Sequence, residues 1–320
     1  MAFAKNLLWE VFLMPRRTKS QYLHEYFKSW VKLYKVGAIR DVTLQKYWVT
    51  YRKIKGLAPT LMMKDLNRQT YQKLINDYAV NHERQTVMDF HHQVKAAILD
   101  AYDDGIIKHD PTRRAIIKGK DPKKKKTKFL SEFELKLLIK ELDLGDKPSI
   151  DWLVLLIAKT GLRFAEALGV TPNDFDFEEQ TLSVTKTWNY KDKSGGFQPT
   201  KNKSSVRKIQ LDWKLCMQFS GLIRNLPADK PIFVTKRIYN STVNFFLEKK
   251  CKHAGIPVIS VHGLRHTHAS LLLYAGVSTA SVAKRLGHAD MTTTQSTYIH
   301  IIEELENQDN DKIMRHLAVL

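Results

Sequence analysis

Cysteine is scarce in this chain of 320 residues. Cys216 and Cys251 alone cannot build a disulfide framework or a zinc site, which suits a reducing cytoplasm. Long apolar runs are also missing: none approaches the roughly 20 residues that cross a bilayer, so no membrane partner is expected. The apolar opening at Met1–Leu8 is interrupted by Glu10 and followed by Pro15-Arg16-Arg17, so residues 1–18 read as a basic leader of unknown order. There is no Gly-rich phosphate loop, no zinc-finger spacing and no internal repeat. Acidic residues are in deficit, 33 Asp and Glu against 52 Lys and Arg.

That deficit is uneven. Residues 1–128 carry 27 Lys and Arg against 12 Asp and Glu, whereas the remainder carries 25 against 21. The net charge of +19 points to a polyanionic partner, and its placement makes the N-terminal part the electrostatic grip. The C-terminal part reads as a more balanced catalytic body.

Residues 19–115 read as a bundle of short helices. Tyr22, Tyr26, Phe27, Trp30, Val31 and Tyr34 recur at helical spacing and line a core face. Asp41-Val42-Thr43 opens a second helix through Tyr47, Tyr51 and Ile54, with Arg52, Lys53 and Lys55 placed as surface cations. Lys64-Asp65-Leu66 opens a third, and the fourth runs from about Glu83 to Tyr102. Residues 116–129 contain Lys123, Lys124, Lys125, Lys126 and Lys128 around Pro122. Such a block of like charge cannot bury itself, so it reads as an extended linker able to meet phosphates.

From residue 130 the pattern changes. Ser131 caps a helix, and Ile150 to Ala158 reads as a buried helix ending at Gly161, with Arg163 and Glu166 just beyond. Between Thr181 and Leu211 the alternation has period two, at Leu182 and Val184, then Phe197, then Val206, Ile209 and Leu211. The expectation is one three-stranded antiparallel sheet with turns at 193–196 and 202–204. Helices follow at Trp213–Ile223 and Ser241–Ala254, with Pro231–Val234 a short buried segment.

The stretch from Val261 to Tyr298 carries the chemistry. It reads His262-Gly263-Leu264-Arg265-His266-Thr267-His268, then an apolar helix, then Leu286-Gly287-His288, then Tyr298 ten residues on. A tyrosine supplies an oxygen nucleophile, an arginine a planar fork for phosphate oxygens, and histidines handle protons. A metal site at His262, His266 and His268 is disfavoured, because the H-E-x-x-H pattern is absent and Arg265 would set a cation beside a cation.

The ordered set resembles the tyrosine recombinases, in particular integrases of phages and mobile elements. Arg163 with Glu166, Lys201, His262 with Arg265, His288 and Tyr298 match the family's positions over about the last 190 residues. The resemblance implies a mainly α fold with a small antiparallel β-sheet (α+β). A helical, SAM-like core-binding domain (19–115) would precede the Lys-rich linker (116–129), a catalytic domain (130–302) and a C-terminal tail (303–320) exchanged between protomers. It implies site-specific cleavage and rejoining of double-stranded DNA through a 3′-phosphotyrosyl intermediate, with no cofactor and no metal. Arg163 and Arg265 would stabilise the pentavalent phosphorus, Lys201 would protonate the 5′-oxygen, His262 would take the tyrosine proton and His288 would donate to phosphate. Lys203 stands close enough to Lys201 to compete for the acid role. Strand exchange implies a homotetramer on DNA in the host cytoplasm, with accessory DNA-bending or directionality factors. Ala165 replaces a glycine frequent in the family, and only about 18 residues precede the bundle where many integrases place an arm-binding domain. Two other readings are a non-catalytic DNA-binding protein of the same fold and a type IB topoisomerase-like enzyme.

Overall fold

A computed structural model describes residues 21–121, 129–192, 194–200 and 202–299, together with 301, 314, 317 and 318. The leader, Lys123–Lys126, Lys128, Lys201 and most of the tail lie outside the described residues. The chain divides into two compact units, Met1–Lys125 and Lys126–Leu320.

In the first unit, α1 (Leu23–Tyr34) and α2 (Asp41–Leu57) pack with α3 (Arg68–Ala79) and α4 (Arg84–Asp103). Tyr26, Phe27, Trp30 and Val31 fall on one face of α1 and are fully buried, while Tyr34 is exposed. Burial of such side chains contributes about 1.5–3 kcal/mol each, and the indole N–H of Trp30 donates to Asp100 at 2.5 Å, so the ring is not left with an orphan donor. Asn67 caps α3 by accepting from the backbone N–H groups of Gln69 and Thr70. On α2 only Thr50 and Ile54 are buried, and Arg52, Lys53 and Lys55 are exposed around them.

The first residues of the expected linker belong structurally to this unit. Ile116 exchanges two hydrogen bonds with the side chain of Gln72, and the Lys120 N–H donates to the His82 carbonyl at 2.9 Å. Gly119 permits this approach: a Cβ there would stand 2.5 Å from the Arg84 backbone nitrogen.

The second unit is built on α6 (Ile150–Thr160), whose residues Trp152 to Ala158 are all buried. Before it, α5 (Glu132–Lys140) starts with a reciprocal cap between Ser131 and Glu134. Gly161 ends α6 at φ 69°, in the left-handed region, and α7 (Phe164–Leu168) follows at once. Beyond the strands come α8 (Trp213–Ile223), α9 (Asn240–His253), α10 (Val261–Tyr274) and α11 (Thr279–Leu286). Residues 291–299 form a further helix, α12. α10 packs along α6, which brings the ends of both helices to one place.

The single expected sheet is two sheets. β1 (Phe175–Asp176), β2 (Thr181–Val184) and β5 (Arg207–Gln210) form one, in the order β1-β2-β5, and β3 (Lys186–Trp188) with β4 (Phe197–Pro199) forms a separate antiparallel pair. The physical reason is burial. Leu182 faces Ile209 across the ladder and both sit in the core, whereas all of β4 is exposed and Phe197 packs edge-on against Trp188 instead. Val206 is exposed, at the end of the short turn Lys203–Ser205, and is not a strand residue. Pro231–Val234 buries Ile232 and Phe233 without forming a strand.

Candidate active site

The site assembles where the C-terminus of α6, the N-terminal turns of α7 and α10, β5 and the C-terminus of α11 meet. Gly161 is required here twice over. Its φ is positive, and a Cβ would come within 2.7 Å of the His268 ring and 2.9 Å of Leu286.

Arg163 occupies the N-cap position of α7, and its guanidinium turns back on Glu166, donating from Nη1 to Oε1 at 2.7 Å. Its Nη2 donates to the Gly287 carbonyl at 3.0 Å and its Nη1 reaches the Leu286 carbonyl at 3.4 Å. Arg265, buried on the first turns of α10, donates to the Gly161 carbonyl at 2.7 Å and to the same Leu286 carbonyl at 2.8 Å. A third guanidinium was not foreseen. Arg207 on β5 donates to Glu166 Oε2 at 3.0 Å and to the Arg285 carbonyl at 2.6 Å.

Three arginines therefore crowd onto carbonyls 285, 286 and 287 at the end of α11. A helix C-terminus leaves those carbonyls unpaired and partly negative, which favours cations there. Among the described residues that meet these guanidinia, Glu166 supplies the full negative charge. Burial alone would raise its pKa, but Arg207 and then Arg163 outweigh that and hold it below the ordinary carboxyl range. Among the described residues, these three guanidinia against the Glu166 carboxylate leave a positive surplus suited to an anionic group. Burial, followed by Arg163, lowers Arg265 to about 9, which keeps it charged at neutral pH.

The surplus sets the histidines. His288 follows Gly287 and lies 2.6 Å from the Thr294 hydroxyl through its Nδ1. Burial, then Arg265, Arg163 and Arg207, push its pKa down to about 4, so it is neutral at pH 7. His262, whose ring keeps an open side at the helix start, is also lowered, by burial and then by Arg265 and Arg163. His268 is fixed by two partners. Its Nδ1 donates to the Ala158 carbonyl at 3.0 Å, and its Nε2 accepts from Arg285 Nε at 2.9 Å, which settles its tautomer.

Tyr298, on α12, is buried, and its hydroxyl lies 2.9 Å from His266 Nδ1. Burial pushes the phenol up to about 12, with Arg265 pulling the other way. The spacing that singled out His262 and His288 passed over His266, and the sequence signal was available only as a second histidine one helical turn after His262. The rings of His262 and His266 meet edge to face at 4.6 Å. Lys203 is exposed in its short turn, between β4 and β5. Among the described residues no group of three or more His, Cys, Asp or Glu is arranged to hold a metal ion, and no helix is long and apolar enough to cross a membrane.

Guanidinia that converge on the end of α11 with a buried tyrosine near them, on this α+β body, form a positively charged site suited to an anionic group. Over residues 128–304 the chain matches the model of the phage integrase family, and it belongs to that family. It is 22% identical over 329 residues to the integrase of Staphylococcus phage L54a, covering 92% of this chain and 93% of that protein. It is 26% identical over 331 residues to a XerC-like tyrosine recombinase of Caldanaerobacter subterraneus subsp. tengcongensis, covering 92% and 77%. In fold it is similar to the Tn1549 transposon integrase solved in complex with a circular intermediate DNA. The TM-score is 0.73 at 16% identity, covering 87% of this chain and 95% of that one. The activity that follows is tyrosine-type site-specific recombination of DNA, as used by mobile elements.

Proposed function

We propose that Tyr298 is the nucleophile of this recombinase and that Arg163 and Arg265 bind the scissile phosphate. The observation that carries this reading is the convergence of the two guanidinia, from residues far apart in sequence, on the Leu286 carbonyl, beside a buried tyrosine. A phosphodiester placed there exchanges carbonyl partners for non-bridging oxygens, and the arginines stabilise the charge that grows on those oxygens. His288, neutral and oriented by Thr294, donates to the phosphate from its other nitrogen. His262 faces the same group from the start of α10. Lys201 protonates the departing 5′-oxygen, leaving a 3′-phosphotyrosyl protein. The first unit serves as the core-binding domain, with Arg52, Lys53, Lys55 and the linker lysines on the DNA backbone. Four protomers act on two duplexes in the host cytoplasm, aided by accessory DNA-bending or directionality factors. The exposure of Met314 and Leu317, 66% and 55%, supports a tail that packs on a neighbouring protomer.

The test is Tyr298→Phe on a nicked suicide substrate. One hydroxyl is lost and no charge, so a gel shift should be unchanged while the covalent protein–DNA adduct disappears. An adduct that persists in Tyr298→Phe assigns the nucleophile elsewhere. A wild-type protein that binds but never forms an adduct is a DNA-binding protein only.

A further inference from the structure

We propose that His266 is a catalytic residue: it takes the phenolic proton of Tyr298 as the nucleophile attacks. This rests on the assignment of Tyr298 as nucleophile and adds the base that assignment lacks.

The geometry is specific. Among the described hydrogen bonds, the partner of the Tyr298 hydroxyl is His266 Nδ1, at 2.9 Å, within the reach a general base needs. The other imidazoles nearby are engaged differently. His288 Nδ1 is held by Thr294, and both ring nitrogens of His268 are committed, to the Ala158 carbonyl and to Arg285. His262 packs edge to face against His266 and is exposed to solvent.

The neighbours of His266 on α10 are fixed. Arg265 is tied to the carbonyls of Gly161 and Leu286, and the Thr267 hydroxyl donates to the Gly263 carbonyl while accepting from the Leu130 N–H. The phenol is also held from its own side. Thr294 and Tyr298 lie one turn apart on α12, so that helix is attached through His288 at one point and through His266 at the next.

A base is needed because burial raises the phenol to about 12, which leaves roughly one molecule in 10⁵ ionised at pH 7. For Nδ1 to accept, the His266 ring carries its own proton on Nε2. In the step, the Tyr298 oxygen forms its bond to phosphorus as its proton passes to Nδ1. The bond from phosphorus to the 5′-oxygen breaks, and that oxygen is protonated by the lysine acid. Resealing returns each proton by the reverse path, so no oxidant, metal or co-reactant is consumed.

The experiment uses the full chain and a nicked suicide substrate. His266→Gln keeps a polar side chain of similar reach but cannot take a proton. DNA binding by gel shift should match wild type, while adduct formation slows roughly 10²- to 10⁴-fold. Two further readouts separate proton transfer from mere support. Added imidazole should restore cleavage at least about tenfold in His266→Gly, where it has room to bind. A difluorotyrosine at position 298, with a more acidic phenol, should shrink the His266→Gln defect. Cleavage by His266→Gln within about threefold of wild type overturns the proposal, and so does a defect that neither imidazole nor fluorination relieves. Loss of the underlying assignment is distinguishable, because peptide mapping of the wild-type adduct would then find a residue other than Tyr298.

Discussion

Replacing Glu166 by Gln removes a single negative charge from the point where two guanidinia meet. Its Oε1 accepts from Arg163 Nη1 at 2.7 Å, and its Oε2 accepts from Arg207 Nη2 and the Arg163 backbone N–H, both at 3.0 Å. A glutamine offers one oxygen where the carboxylate offers two, so its amide must face one donor with another. Arg163 is 27% exposed in its side chain and can turn toward water, but Arg207 is 5% exposed and cannot. Removing one partner of a buried pair costs about 3–5 kcal/mol, and with Arg163 free to relax the loss falls near about 3 kcal/mol. At about 2–4 °C per kcal/mol for a unit of this size, Tm should fall by about 6–12 °C.

The pH dependence gives an independent check on the same variant. Because the folded pKa of Glu166 is depressed, its stabilisation is present above the ordinary value of about 4.5 and is lost as pH falls through the folded value. The gap between wild type and Glu166→Gln should therefore be constant near neutrality and narrow in acid. Urea denaturation followed by circular dichroism at pH 7 and near pH 3 measures both. A variant within about 0.5 kcal/mol of wild type at pH 7 would refute the reasoning, as would a gap that does not narrow in acid.

Lys201→Ala should cleave normal DNA slowly yet recover on a substrate with a 5′-bridging sulfur, a better leaving group; equal defects on both substrates remove Lys201 from the acid role, and Lys203→Ala run alongside decides between the neighbours. His268, held down at about 3 by burial and by Arg285, stabilises the fold above its ordinary pKa near 6.5 and less as pH falls below it. His268→Gln should thus lose less stability than wild type between pH 7 and pH 5 in urea denaturation, and identical losses would contradict that. Deleting 313–320 should spare half-site binding in a gel shift but weaken full-site assembly and recombination yield; normal yield from the truncated chain would rule out a role for the tail in assembly.

Much of the local structure is legible in the sequence because its causes lie within a few residues. Ser131 and Glu134 announce a capping box, and Gly161 and Gly287 mark left-handed helix ends. The apolar run through α6 is buried as read. The Arg163–Glu166 pair is local too, being one helical turn apart. Period two says that a segment is a strand, not which strand it pairs with, so the pattern implies one sheet where two form. Phe197 looked like a core position, but its strand pairs with β3 and stays exposed.

The sequence by itself determined the chemistry on offer: a tyrosine, two arginines, a lysine and histidines in a family-specific order, on a basic chain without metal-ligand spacing. Only the tertiary structure decided how those groups are wired. Arg207 joins Glu166 across 41 residues because β5 pairs with β2 in one register, and Arg285 meets His268 because α11 packs on α10. His266, rather than His262, meets Tyr298 for a rotational reason. The two histidines lie four residues apart on one helix, and which of them points at the tyrosine depends on where α12 docks. Spacing fixes which residues share a helix face, but the partner that face meets is fixed by packing between segments distant in the chain.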